Sequence, residues 1–164
     1  MSSETEGLVC ASMNWLVLSI AMQILLALYL QIGEWVDLFP WNDLSRGNGQ
    51  ESLDVAMAII QFGLVFGFVR RMSWVMGAGV GFYFVWIILQ IQSWWVPYVW
   101  GASDSHMRFY QRWFGQTYKF LPTFNHHPAP DALHVVLQVL ILVVVITAVV
   151  AFIQVRKSPM RGAN

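Results

Sequence analysis

The sequence predicts an all-α integral membrane protein, a four-transmembrane-helix bundle with an additional interfacial amphipathic helix in the long outer loop between spans three and four. Three observations predict it. Hydrophobic residues make up 57% of the 164 residues and charged ones only 11%, against about 25% charged in ordinary soluble domains. Four stretches are apolar enough, and long enough, for a hydrocarbon core of roughly 30 Å, which takes about 20 helical residues to cross. Outside them, residues 104–121 carry apolar and basic side chains at helical spacing on opposite faces.

The first span, residues 8–32, follows Glu4 and Glu6 rather than a basic segment, so it reads as a retained span and not a cleaved signal peptide. It contains Cys10, the only cysteine, which excludes an internal disulfide, a CxxC redox pair and a thiolate metal cage. Cys10 reads as a small buried apolar residue. The second span, 53–69, has Asp54 at its entrance, and Arg70-Arg71 form a very short turn into the third, 74–95. The two make an antiparallel hairpin in which Gly63-x-x-x-Gly67 and Gly77-x-x-x-Gly81 permit close approach. The fourth span, 132–155, is followed by Arg156, Lys157 and Arg161.

Basic residues beside span ends stay on the cytoplasmic side. This places both termini in the cytoplasm, in a plasma (inner) membrane setting, and puts loops 33–52 and 96–131 outside. The formal net charge is zero and no dense basic stripe exists, which excludes nucleic acid as a partner.

The two outer loops differ in character. The first holds Pro40 and Arg46-Gly47-Asn48-Gly49 and reads as a solvated connector with a turn. In the second, Met107, Tyr110, Phe114 and Leu121 share one helical face while Arg108, Arg112, Gly115 and Lys119 share the other. Ser103 or Asp104 is the expected N-cap and Pro122 the stop. The basic face could collect anionic headgroups or an acidic amphiphile, or simply snorkel among lipids.

Four glutamines fall inside the spans, where an unpaired amide is costly. Counting 1.5 Å per residue from the outer ends puts Gln90 roughly 5 Å deep, Gln138 about 10 Å, Gln61 about 12 Å and Gln23 about 15 Å. All lie in the outer half or at the midplane, so they could line an outward-facing polar vestibule, or hold the helices together by interhelical hydrogen bonds. Trp94 and Trp95, with Trp35, Trp41 and Trp100, gather at the outer headgroup level. They suit an aromatic belt, or a wall for a lipid-like ligand.

All four histidines also lie on this side. Asp131 can cap the fourth span, with His134 one turn later, and the pair could serve acid–base chemistry. His106, His126, His127 and His134 are candidate ligands for a transition metal, although no spacing among them is a specific metal motif. No cofactor signature is present; Gly77-Ala78-Gly79-Val80-Gly81 has no preceding strand and is not a nucleotide loop.

The resulting expectation is a small multi-pass membrane protein that binds a lipid-like amphiphile or a partner membrane subunit at its outer face. Two alternatives remain open: an enzyme acting on a lipid-linked substrate through Asp131 and His134, and an extracytoplasmic metal or haem handling protein. A homo-oligomer through a glycine-rich face is also compatible with the pattern.

Overall fold

The computed structural model describes residues 3–45 and 51–157, with side chains from Asn14 onward and without that of Glu51. The expectations for the Cys10 side chain, the Arg46–Gly49 turn and Arg161 lie outside the described residues. In chain order the helices are α1 (Ser3–Trp35), α2 (Glu51–Val69), α3 (Ser73–Gln90), a π-helical turn (Ile91–Trp95), α4 (Val96–Trp100), α5 (Asp104–Phe114) and α6 (Ala132–Lys157). Among the described residues four helices are long and apolar enough to cross a membrane: Asn14–Trp35, Ser52–Val69, Ser73–Trp100 and Ala132–Lys157.

Helices α1 and α3 each pack against both α2 and α6. The order round the bundle is therefore α1, α2, α3, α6, with α5 and the loops gathered at one end. Toward the end that carries the α2–α3 turn, the centre is filled by Leu16, Phe68, Met76, Ala148 and Ala151. Leu26, Leu30, Leu64, Tyr83, Leu137, Ile141 and Val144 continue the core toward the loops. The outside of the bundle is apolar too, with Val17, Ile59, Phe66, Phe84 and Val139 all more than half exposed.

The α2–α3 turn is closed by backbone hydrogen bonds. The N–H of Arg71 donates to the Phe68 carbonyl and that of Met72 to the Gly67 carbonyl, the paired 5→2 and 6→1 bonds of a Schellman ending. Arg71 takes the left-handed position, φ +52°, where glycine is commoner. Gly67 makes the hairpin tight, since a Cβ there would overlap the Val75 side chain. The other glycines divide: Gly79 faces Phe68 and Leu64, whereas a Cβ on Gly63 or Gly81 would meet nothing within 4 Å. Of the two GxxxG pairs only Gly67 thus serves contact between α2 and α3, while a Cβ on Gly77 would meet Phe152 of α6.

Two boundaries differ from expectation. The third long helix does not stop at Trp95 but runs to Trp100, because the chain absorbs Pro97 by widening. Proline has no N–H to give the carbonyl four residues back, and its ring crowds that carbonyl. The preceding turn opens to π spacing, with the Val96 N–H donating to the Ile91 carbonyl, and the helix continues. Gly101, φ +90°, ends it.

The amphipathic helix, in turn, ends at Phe114 rather than Leu121. The Thr117 hydroxyl donates to the Phe114 carbonyl at 2.9 Å, and Lys119 Nζ donates to the carbonyls of Phe114 and Thr117, both at 2.7 Å. Side chains thereby take the carbonyls that the next helical turn would have paired. Lys119 accordingly leaves the basic face and folds back on the chain.

Candidate functional site

The loop end of the bundle is held by polar contacts between segments far apart in sequence. Asn42 closes α1: its Nδ2 donates to the Gly33 carbonyl at 2.6 Å and the Val36 carbonyl at 2.8 Å, while its Oδ1 accepts from the Leu38 N–H. The Tyr29 hydroxyl donates to the Leu133 carbonyl at 3.0 Å and accepts from the Trp41 indole at 3.2 Å. This ties α1 to the start of α6. The N–H of Tyr118 donates to the Pro40 carbonyl, and that of Ala132 to the Tyr118 carbonyl, so the segment after α5 lies between the first loop and α6.

Pro128, Ala129 and Pro130 are buried on the way into α6. Prolines bring no N–H that would need a partner there, and the Ala129 carbonyl accepts from the Tyr110 hydroxyl at 2.7 Å. Burial pushes the Tyr110 phenol up to about 12 and holds the Lys119 ammonium below its ordinary value.

Asp131 then caps α6. It is 1% exposed, and its Oδ1 accepts from the His134 N–H at 2.9 Å and from His134 Nδ1 at 2.7 Å. Its Oδ2 is 3.3 Å from the Thr117 hydroxyl. A carboxylate can only accept, so His134 Nδ1 carries a proton toward Asp131, and in the neutral imidazole Nε2 is then the acceptor nitrogen. The His134 ring lies 4.1 Å from the Trp94 ring, tilted by 36°, and meets the edge of Phe114 at 5.3 Å. Trp94 is brought there by the π turn. Among the described residues no hydrogen bond reaches His134 Nε2.

His134 and Asp131 border a cavity of about 240 Å³ between the first loop, α5 and the loop ends of α1 and α6. Phe109, Trp113 and Phe114 form its α5 wall. Gly33, Glu34, Asn42 and Asp43 form the opposite one, and Thr117, Leu44 and Leu133 complete it. The arrangement combines an aromatic wall, a buried carboxylate and an imidazole locked in one tautomer, which suits either holding a polar head or accepting a proton.

The remaining expected site residues are scattered. Gln138 accepts from the Trp95 indole at 2.7 Å and lies 3.4 Å from Gln90, so these three form one interhelical cluster. Gln23 pairs with Ser19 on its own helix and with the Tyr83 hydroxyl at 3.4 Å. Gln61 is fully buried with neither amide atom bonded. The four glutamines are thus two pairings and an orphan, and the cavity lies beyond them among the loops.

The histidines also separate. His134 belongs to the cavity, and His127 Nδ1 is 2.8 Å from the Tyr98 carbonyl. His126, in a tight turn at φ +58°, is exposed with Nδ1 3.7 Å from Asp104. His106 borders a second hollow with Trp94 and Tyr110. Among the described residues no three His, Cys, Asp or Glu side chains converge as a metal cage would require. Arg108 and Arg112 are exposed on α5, with Arg112 stacked 5.3 Å over the Trp113 ring.

Tyr29, Asn42, Thr117 and Trp113 are the functional neighbours that pattern reading missed. Only Asn42, a few residues past the end of a predicted helix, carried a local signal. Tyr29 and Thr117 act on Leu133 and Asp131 across the fold, and Trp113 is placed by the cavity that it lines. Comparison of the chain with models of protein families, with curated proteins and with solved structures finds no match.

Proposed function

We propose that the chain is a small multi-pass membrane protein, with both termini on the cytoplasmic side of the plasma (inner) membrane, that binds the polar head of a lipid-like amphiphile in the cavity beside His134. The observation that carries this reading is the cavity itself: it pairs an aromatic wall with a buried, oriented Asp131–His134 couple at the loop end of an apolar bundle. Large side chains such as Ile59, 68% exposed, and Phe66, 60% exposed, clothe the outside of that bundle. In water such a surface would drive association, whereas in lipid it is the expected contact. A bilayer would place α5 at the interface and bring an amphiphile's head to the level of the cavity.

The test is a photoactivatable lipid analogue reconstituted with the protein, followed by mapping of the adducts. Labelling should concentrate on Phe109, Trp113 and His134. Adducts spread evenly round the outside of the bundle, with none at these residues, would count against the site. Orientation is checked separately with a membrane-impermeant maleimide on intact cells, which should label Asn125→Cys and spare Gly162→Cys.

A second reading, an enzyme acting on a lipid-linked substrate, is favoured by the Asp131–His134 geometry. A buried carboxylate that orients an imidazole and leaves Nε2 free is the arrangement of a general base. His134→Ala that retains lipid labelling but abolishes conversion of lipids in a native extract would select it. Retained conversion would remove it.

A further inference from the structure

From the hydrogen-bonding inventory of the cavity we infer that its ligand presents a hydrogen-bond donor, a hydroxyl or a protonated amine, rather than an anionic head. The inference rests on the reading of this cavity as a binding site and names the chemistry that site would select.

The donors on the lining side chains are largely spent. Both bonds from Asn42 Nδ2 go to carbonyls at the end of α1. The Thr117 hydroxyl proton is shared between the Phe114 carbonyl and Asp131. The His134 Nδ1 proton faces Asp131. Among the described lining residues the Trp113 indole N–H is the remaining neutral donor, and none is a lysine or an arginine.

Acceptors remain. In the neutral imidazole His134 Nε2 keeps its lone pair, because the carboxylate on the other side of the ring dictates the tautomer. Each carboxylate offers about four acceptor positions. Asp131 uses both oxygens but not every lone pair, and Glu34 and Asp43 line the same space while holding interactions of their own. An anionic head placed here would meet carboxylates and an imidazole lone pair, with one indole to answer it. That mismatch leaves buried acceptors facing an acceptor, the most expensive way to fill a pocket. A donor head meets complementary groups, and an ammonium gains further from the Trp113 and Phe114 faces.

The sequence alone suggested the opposite, an acidic amphiphile collected by Arg108, Arg112 and Lys119. In the fold Lys119 is engaged with carbonyls at the end of α5. Arg108 and Arg112 face outward from that helix and do not line the cavity.

The experiment uses the full chain in bicelles, with ¹⁵N-labelled tryptophan and histidine, titrated with hexylammonium, hexanol and hexanoate. The indole signals of Trp94 and Trp113 and the ring nitrogens of His134 report on the site. Saturable shifts are expected with hexylammonium, hexanol or both, at an affinity at least tenfold above hexanoate, and His134 Nε2 should move as its lone pair is engaged. Binding of the alcohol alone or of the ammonium alone sustains the inference and separates a neutral from a cationic head. His134→Phe should lower the favoured affinity at least tenfold, and if that variant fails to fold, Glu34→Gln should narrow the ratio to hexanoate. Hexanoate binding as tightly as the other two overturns the donor assignment while leaving the cavity a binding site. Saturable shifts with none of the three overturn both.

Discussion

The two ends of the bundle are stabilised by different means. Around Phe68 and Met76 the interior is side chains in van der Waals contact, and the nearby Thr147 hydroxyl bonds to its own helix. At the loop end the contacts are directional: Asn42 on three backbone groups, Tyr29 on Leu133, Tyr110 on Ala129, Asp131 on His134. Apolar packing depends on volume and tolerates a change of shape, whereas a polar clasp depends on atom type and tolerates almost none.

That contrast can be broken by substitutions that separate volume from polarity, each measured as a shift in the unfolding midpoint in detergent. The largest expected effect is Phe68→Ala, a loss of about 3 kcal/mol from the cavity it leaves, while Phe68→Leu should stay below about 1.5 kcal/mol. If the two lose equal amounts, the end that carries the α2–α3 turn is not governed by volume. Next comes Asn42→Leu, nearly isosteric, with an expected loss of about 2 kcal/mol because two α1 carbonyls and the Leu38 N–H lose their partner. A neutral result would mean that water satisfies the end of α1 equally well. Tyr110→Phe removes a single oxygen and should cost about 1 kcal/mol through the orphaned Ala129 carbonyl.

The smallest effect has the opposite sign. Gln61 brings an unbonded amide into the apolar centre, and Gln61→Leu should raise stability by up to about 1 kcal/mol. A fall instead would show that the amide is satisfied by water held inside the bundle.

The parts of the fold legible in the sequence are those set by continuous local pattern. The runs 53–69 and 132–155 fall inside α2 and α6, and the Arg70-Arg71 turn needs only a few residues to close. The extent of α5 was not legible, since apolar spacing continues to Leu121 while the decision to stop lies with Thr117 and Lys119, whose side chains compete for the same carbonyls. The Asp131–His134 capping pair is local and could be read from three residues' spacing. Its surroundings could not: Trp94 and Thr117 reach it, and Asn42 reaches the cavity beside it, through tertiary contacts that leave no periodic trace, while Gln23, Gln90 and Gln138 bond within the bundle and Gln61 bonds to nothing among the described residues.

The π turn at Ile91–Trp95 carries a consequence for how this chain tolerates changes of length. It accommodates one residue beyond an α-helical turn, and each residue of an α-helix advances the direction of a side chain by about 100°. The turn therefore takes up one extra residue between Tyr83, buried in the bundle, and Pro97, buried further along, without adding that residue's rotation. Deleting one residue within it would only restore α-helical spacing, whereas deleting one from α3 below it would swing Tyr98 by about 100° relative to the start of α3. The Tyr98 carbonyl, to which His127 is bonded, would turn with it. A single lost residue among the apolar helices would thus be felt first in the loops above them.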